Sequence, residues 1–133
     1  MYKIEKAPYG LKLTFAGFIQ PDEMKQWVEE SKTALLSAPK DFGVLVDQTE
    51  CKAMPEETKL VLQEGQALYK GSGMLRSAVG LNSALTTAQV KRIAQDSGIY
   101  EWERYFDASA NPDWVTTAVS WIKDGVDPDA KTA

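Results

Sequence analysis

The spacing of hydrophobic residues alternates between two periods along the chain and predicts strands followed by helices. Two β-rich runs, Tyr2–Lys6 and Leu11–Phe15, are separated by the turn sequence APYG, which predicts an antiparallel hairpin. From Pro21 the apolar positions lie three and four residues apart as far as Ala38, and Pro39 ends this helical pattern. The N-terminal third therefore predicts two strands and one helix.

The remaining chain repeats the order of a strand followed by a helix. Two short apolar runs, Phe42–Val46 and Ser77–Leu81, have the length and composition of buried strands, and Glu103–Phe106 is predicted as a short last strand. Helical spacing follows each run, within the segments Pro55–Lys70, Ser83–Gly98 and Trp114–Trp121. The order ββαβαβαβα predicts an α/β fold, with a mostly parallel sheet of four to five strands, an antiparallel N-terminal hairpin and flanking helices.

Length and composition favour a single globular domain over residues 1–124. The chain has 133 residues, of which 44% are hydrophobic and 26% are charged, close to the average for globular proteins. The polar residues 125–133 predict a frayed C-terminal tail. The absence of a signal peptide and of any run of about 20 apolar residues predicts a soluble cytoplasmic protein without membrane insertion. The net charge of −4 argues against nucleic-acid binding.

The chain contains no histidine, which removes most catalytic and metal-binding designs. Ser–His and Cys–His pairs, histidine metal ligands and imidazole acid–base chemistry all need this side chain. Neither GxGxxG nor GxxxxGK[ST] occurs, so no phosphate-binding loop is predicted. The sequence therefore predicts no catalytic residue, no metal site and no cofactor, and an enzyme ranks third among the hypotheses.

One acidic stretch still has the chemistry for a hard cation or for acid–base catalysis, since it holds Asp47, Glu50, Glu56 and Glu57. Ordinary helix preference explains Glu56 and Glu57, because carboxylates are favoured at the positive end of a helix dipole. Cys51 is the only cysteine, which fits a reducing compartment. One neighbouring lysine is weak support for a reactive thiolate, and we interpret Cys51 as an unreactive loop residue.

Four stretches between Tyr2 and Ile122 resemble the SpoIIAA-like family, a bacterial group related to STAS domains. They are YKIEKAPYGLKLTFAGFIQPDEM, FGVLVDQT, MPEE and ERYFDASANPDWVTTAVSWI. The resemblance implies a sheet of four or five strands with flanking helices, similar to anti-sigma-factor antagonists and, in fold, to CRAL-TRIO lipid-binding domains. Antagonists carry a phosphorylatable serine after the Asp-ending strand, but the matching segment Ala53–Lys59 has no serine, and Thr58 lies too far into the helix.

Open α/β sheets usually place ligands and partners at the carboxyl ends of their parallel strands. The leading hypothesis is therefore a non-catalytic binding or regulatory module that presents the loop Gln48–Met54 and the segment Asn82–Thr86 to an unidentified protein partner. The predicted site residues are Asp47, Gln48, Thr49, Met54, Glu56, Asn82, Ser83 and Thr86. The alternative is a carrier that holds a lipid or another apolar small molecule between the second and third helices. The sequence leaves open whether two copies form a homodimer.

Overall fold

Five strands form one sheet in the computed structural model, which describes residues 1–130. The strands are β1 (Tyr2–Ala7), β2 (Gly10–Gly17), β3 (Gly43–Cys51), β4 (Arg76–Leu81) and β5 (Glu103–Asp107). They lie side by side in chain order; β1 is antiparallel to β2, and all other neighbours are parallel. The predicted α/β fold with an N-terminal hairpin at one edge is confirmed.

Four helices flank this sheet. They are α1 (Pro21–Leu35), α2 (Glu56–Gly71), α3 (Ala84–Ser97) and α4 (Trp114–Asp124), and a 3-10 turn at Ile99–Glu101 precedes β5. Helices α1, α2 and α3 each connect two neighbouring parallel strands and pack on one face of the sheet, while α4 packs on the other. Within residues 1–130, no helix combines the length and the apolar character that crossing a bilayer requires.

The larger core lies between the sheet and helices α1 and α2. Phe15 of β2 contacts the Trp27 ring of α1 edge to face, with 5.2 Å between the ring centroids. The Trp27 ring is also stacked on Tyr69 of α2 at a centroid distance of 5.6 Å. The Tyr69 hydroxyl and the Ser31 hydroxyl are 2.7 Å apart, so these two buried groups satisfy each other by a hydrogen bond. The aromatic residues of three elements thus fix how α1 and α2 sit on β2.

Helix α4 covers the opposite face over strands β3, β4 and β5. The sequence places Trp114, Ala118 and Trp121 on one stripe of the helix, and all three are buried, as predicted. Gly80 of β4 makes this packing feasible, because a Cβ atom there would lie 2.3 Å from the Trp114 ring. The start of α4 is therefore held against the carboxyl end of β4.

Helix α3 is less buried than its apolar residues predict. Its start is confirmed, since the Ser83 hydroxyl oxygen accepts a hydrogen bond from the Thr86 backbone N–H at 2.9 Å. Of the apolar positions that keep the helical period, Ala94 is buried and Val90 is half-buried, but Ile93 is exposed. Ile93 is exposed because α3 packs mainly on the edge strand β5 and the 3-10 turn, where only a narrow stripe of a helix meets the sheet.

Two element boundaries differ from the prediction. Strand β3 continues past Asp47 to Cys51, because the end of β2 still pairs with it beyond a bulge. Helix α1 ends at Leu35 and does not reach Ala38. The last residues before Pro39 form tighter turns, in which backbone N–H groups bond the carbonyls three residues earlier. Both differences arise from backbone pairing that the hydrophobic pattern does not encode.

The C-terminal tail is not frayed over its described part. Arg104 of β5 is buried, and its guanidinium forms a two-point ion pair with Asp127, with Nε 2.9 Å from Oδ1 and Nη2 3.2 Å from Oδ2. The tail is polar, as the sequence shows, but its carboxylates bind the protein surface as well as water. Residues 131–133, which also belong to the predicted tail, lie outside the described residues.

Candidate functional site

A groove of about 660 Å³ opens at the carboxyl edge of the sheet. Thr49 and Glu50 at the end of β3, Lys52 just after it and Asn82 just after β4 line one wall of the groove. Together these side chains offer a hydroxyl, a carboxylate, an ammonium group and an amide. These side chains can therefore donate and accept several hydrogen bonds and can pair with a positively or a negatively charged group of a partner.

The rest of the groove lining is mainly apolar. It includes Ala108 and Pro112, in the loop after β5, and Trp114 at the start of α4. Trp114 is buried by its packing over Gly80 and against Phe106, whose ring centroid lies 6.3 Å away. The Trp114 ring therefore has a fixed position in the groove lining, whereas Pro112 is exposed.

Asp47 lies beside the groove and holds one of its polar residues in place. Its Oδ1 atom accepts a hydrogen bond from the Thr49 backbone N–H at 3.0 Å and another from the Thr49 hydroxyl at 2.7 Å. The bonds occur where a bulge interrupts the pairing of β3 with β2. The Asp47 carboxylate therefore positions Thr49 in the groove wall.

The structure brings together two of the eight predicted site residues, Thr49 and Asn82, as lining of the groove. The prediction of a loop over Gln48–Met54 is wrong in its first half, because Gln48 to Cys51 belong to strand β3. The extra strand length carries Thr49 to the edge of the sheet on a regular backbone. A strand holds side chains more precisely than a loop would, which favours a preformed site.

The other predicted site residues lie apart from the groove lining. Met54 is half-buried against the core below α1 and α2. Glu56 is exposed at the first residue of α2, where ordinary helix preference accounts for it. Ser83 caps α3, and Thr86 is exposed in the first turn of that helix. Met54 and Ser83 thus have structural roles, and none of these four residues lines the groove.

Three groove residues have no counterpart in the sequence prediction: Gly17, Ala108 and Pro112. Trp114, which is packed in the core, also forms part of the groove lining. The order of the secondary-structure elements could have indicated that Ala108 and Pro112 lie near the predicted site. The loop after β5 emerges at the same edge as the loops after β3 and β4, because all three strands are parallel.

The segment Ala53–Lys59, which matches the phosphorylated segment of the antagonists, has a single hydroxyl group, on Thr58. Thr58 is fully buried, and its hydroxyl donates a hydrogen bond to the Ile19 carbonyl oxygen at 3.0 Å. This bond ties the first turn of α2 to the residues that precede α1. A kinase has no access to a hydroxyl in this position, so Thr58 has a structural role.

Cys51 is half-buried at the end of β3, within the acidic stretch 47–57. Burial raises the pKa of the Cys51 thiol, which keeps it protonated, and its Sγ atom lies 3.4 Å from the Lys52 carbonyl oxygen. The cysteine lies at the end of β3, not in a loop as expected. In the part of the chain that the structure describes, no three acidic or cysteine side chains converge as metal ligands, the stretch 47–57 included.

A second cavity, of about 410 Å³, lies between the N-terminal hairpin and α1. Ile4, Leu11 and Ala34 give it an apolar floor, and Lys6 and Glu30 lie at its charged rim. Neither this cavity nor the groove lies between α2 and α3, where the sequence prediction placed a ligand.

The fold is similar to that of a solved structure, an uncharacterized protein from the DUF3478 family with a SpoIIAA-like fold from Shewanella loihica PV-4. The two chains are 16% identical, the TM-score is 0.65, and the match covers 92% of each chain. This protein therefore has the SpoIIAA-like fold that the resemblance in the sequence implied. No family model matches the sequence, and no curated protein matches it.

Proposed function

We propose that this protein is a non-catalytic binding module of the SpoIIAA-like type, which holds a protein partner in the groove at the carboxyl edge of its sheet. The observation that carries the proposal is the groove of about 660 Å³, whose lining combines polar side chains with the apolar residues Pro112 and Trp114. Thr49 and Asn82, two residues predicted for partner binding, are among the polar lining residues. A regulatory role would follow if occupation of the groove controls what the partner does.

The chemistry of the groove favours a protein over a small molecule. Pockets for small molecules are mostly apolar with few polar groups, whereas protein interfaces combine an apolar centre with a polar rim. Here Trp114 and Pro112 supply the apolar part, and Lys52 and Glu50 supply charges of opposite sign at the rim. A peptide segment with one apolar side chain and flanking polar groups fits this arrangement.

The same residues favour binding over catalysis. The chain has no histidine, the Asp47 carboxylate is engaged with Thr49, and burial raises the pKa of the Cys51 thiol. Catalysis of acyl or phosphoryl transfer needs a nucleophile or base within reach of a bound substrate. Binding needs none of these groups, only a preformed surface.

Site-specific photo-crosslinking in living cells tests the proposal. A photoreactive amino acid at Glu50 should form an adduct with a defined partner, while the same amino acid at Lys40, which is exposed at the opposite edge of the sheet, should not. With the partner identified by mass spectrometry, Asn82→Lys and Thr49→Arg should each raise its Kd at least about tenfold, which corresponds to about 1.4 kcal/mol. Equal adducts at both positions, or binding unaffected by both substitutions, would refute the groove as the interface.

The cavity beside α1 favours a second candidate function, transport of a small apolar ligand. Its volume of about 410 Å³ and its lining by Ile4, Leu11 and Ala34 suit such a molecule. Native mass spectrometry of protein purified without organic solvent should then show an added ligand mass that extraction removes. Ala34→Arg, which fills the cavity, should abolish the added mass. A mass equal to that of the bare chain in the unaltered protein would argue against a carrier.

A further inference from the structure

Strand β1 forms one edge of the sheet, and its outer side pairs with no strand of residues 1–130. The Met1 ammonium group donates to the Ala16 carbonyl oxygen at 2.7 Å, and the Ala16 N–H donates to the Met1 carbonyl oxygen at 2.8 Å. Because such pairs alternate along an antiparallel ladder of unbroken register, the odd-numbered residues of β1 also bond β2. The N–H and C=O groups of the even-numbered residues therefore point outward, namely those of Tyr2, Ile4 and Lys6.

The exposed charges of this edge strand have both signs. Like charges on an edge strand keep other strands away, but Lys3 is followed two residues later by Glu5. Their side chains lie on one face of the sheet, and that of Ile4 lies on the other. Lys3 and Glu5 are exposed, and neither forms an ion pair within residues 1–130. The edge thus presents one cation and one anion, symmetrically placed about Ile4.

We propose that β1 pairs antiparallel with β1 of a second copy about a two-fold axis at Ile4, which joins the two sheets into one. Lys3 of each copy then lies directly opposite Glu5 of the other, so the interface contains this pair of unlike charges twice. Ile4 lies opposite Ile4, and Tyr2 lies opposite Lys6. Each of these pairs exchanges two backbone hydrogen bonds, because the groups of all three residues point outward.

The charges of β1 select this register over its neighbours. An axis between two residues would place an outward-pointing residue opposite an inward-pointing one and lose the hydrogen bonds of the ladder. An axis one residue earlier would oppose Lys3 to Lys3, and one residue later would oppose Glu5 to Glu5. Like charges directly opposite each other destabilise a strand pair. The axis at Ile4 keeps the hydrogen bonds and opposes unlike charges.

The pairing of Tyr2 with Lys6 also joins complementary groups. The pKa of Tyr2 is raised to about 12, first by partial burial and then by a hydrogen bond to Glu30 of α1 and by the charge of that carboxylate. Lys6 is exposed and has no ion-pair partner in the part of the chain that the structure describes. In the dimer it lies beside Tyr2 of the other copy, so its ammonium group meets an acidic surface.

Reversal of the two charges tests the position of the axis. Sedimentation equilibrium from low to several hundred micromolar protein should show a dimer for the unaltered chain. Lys3→Glu opposes two glutamates and Glu5→Lys opposes two lysines, so each should raise the dimer Kd at least about tenfold. An equimolar mixture of the two variants should regain the affinity of the unaltered chain, because every glutamate of one chain then faces a lysine of the other.

Lys59→Glu serves as a matched control, since it changes the net charge as Lys3→Glu does, at an exposed position of α2. It should leave the dimer Kd unchanged. Circular dichroism should show equal thermal unfolding for all variants, because the substituted side chains are exposed. A monomeric unaltered chain at the highest concentration, a mixture that binds no tighter than either variant alone, or a loss of dimer in Lys59→Glu equal to that in Lys3→Glu would overturn the proposal.

Discussion

The six-membered ring of the Trp27 indole lies where a side chain on Gly65 would be. A Cβ atom at Gly65 would be 2.0 Å from Cζ3 of Trp27 and 2.4 Å from Cη2. The missing side chain lets α2 approach α1 closely enough for Tyr69, one turn further along, to stack on the same indole ring. Gly65 in the middle of α2 thus has a low helix propensity, but it permits close packing of α1 against α2.

Gly65→Ala should therefore destabilise the protein although alanine is the better helix former. Alanine is intrinsically better than glycine by about 1 kcal/mol in a helix, but the clash with a rigid buried ring should reverse the sign and lower the free energy of unfolding by about 1–3 kcal/mol. Gly71→Ala, at the end of the same helix and with no atom within 4 Å of the new Cβ, should be neutral or slightly stabilising. Urea unfolding measures both, and equal losses would contradict this explanation.

Thr58→Val should remove a buried hydrogen bond with almost no change in side-chain volume. The Ile19 carbonyl would lose its 3.0 Å donor, and an unsatisfied buried acceptor costs about 1–3 kcal/mol. Thr117→Val makes the same chemical change at an exposed position of α4 and should alter the free energy of unfolding by less than about 0.5 kcal/mol. A Thr58 variant as stable as the Thr117 variant would show that water replaces the lost donor.

Glu103 should make the protein less stable as pH rises from acidic to neutral. Its buried carboxylate accepts hydrogen bonds from the hydroxyls of Ser77 at 2.5 Å and Tyr105 at 2.7 Å, and burial raises its pKa above the ordinary value of 4.5. The neutral form is favoured in the folded state, so its stabilising contribution is fully present below pH 4.5 and is lost as pH rises through the folded-state pKa.

Glu103→Gln should remove this pH dependence, because the amide stays neutral and can still bond both hydroxyls. The stability of the variant relative to the unaltered protein should therefore increase as pH is raised from 4 to 8, as measured by urea unfolding at each pH. Glu101→Gln changes an exposed carboxylate two residues away and should show no comparable trend. Parallel stability profiles for Glu103→Gln and the unaltered chain would rule out a buried carboxyl with a raised pKa.

Asp127→Asn should weaken the attachment of the C-terminal tail. The hydrogen bond from Arg104 lowers the pKa of the Asp127 carboxyl below its ordinary value of 3.8, and the Arg104 guanidinium is also held between the rings of Tyr100 and Trp121, at 3.8 Å and 4.2 Å from their centroids. The Asp127 side chain is 35% exposed, and solvent screens part of the interaction. We therefore expect a loss of about 1 kcal/mol at pH 7.

This contribution of Asp127 should disappear in acid. A lowered folded-state pKa gives stability that is present above pH 3.8 and is lost as pH falls through the lower folded-state value. The difference between Asp127→Asn and the unaltered protein, measured by urea unfolding, should thus shrink as pH falls progressively below 3.8. Asp124→Asn, at an exposed position of α4, should have little effect at either pH. A difference that persists unchanged in acid would assign the effect to packing and not to charge.

The order and type of the secondary-structure elements could be predicted from the sequence because their signals are local. The hairpin at APYG, the Ser83 cap and the burial of Trp114 and Trp121 depend on residues a few positions apart, and the structure contains each of them. The polar residues at the strand ends also indicated the carboxyl edge of the sheet as the candidate site, and of the eight residues predicted there Thr49 and Asn82 line the groove. Binding at this edge stays a prediction.

Only the tertiary structure determined the features that depend on contacts between residues far apart in the sequence. Strand β3 reaches Cys51 because β2 pairs with it, and Arg104 binds Asp127 from 23 positions away. Pro112 and Thr49 line one groove only once the parallel strands align their ends. Ile93 keeps the helical period of α3, yet no residue between 1 and 130 buries it. Hydrophobic periodicity records which side of an element is apolar, but the neighbour that buries it is set by packing across the whole chain.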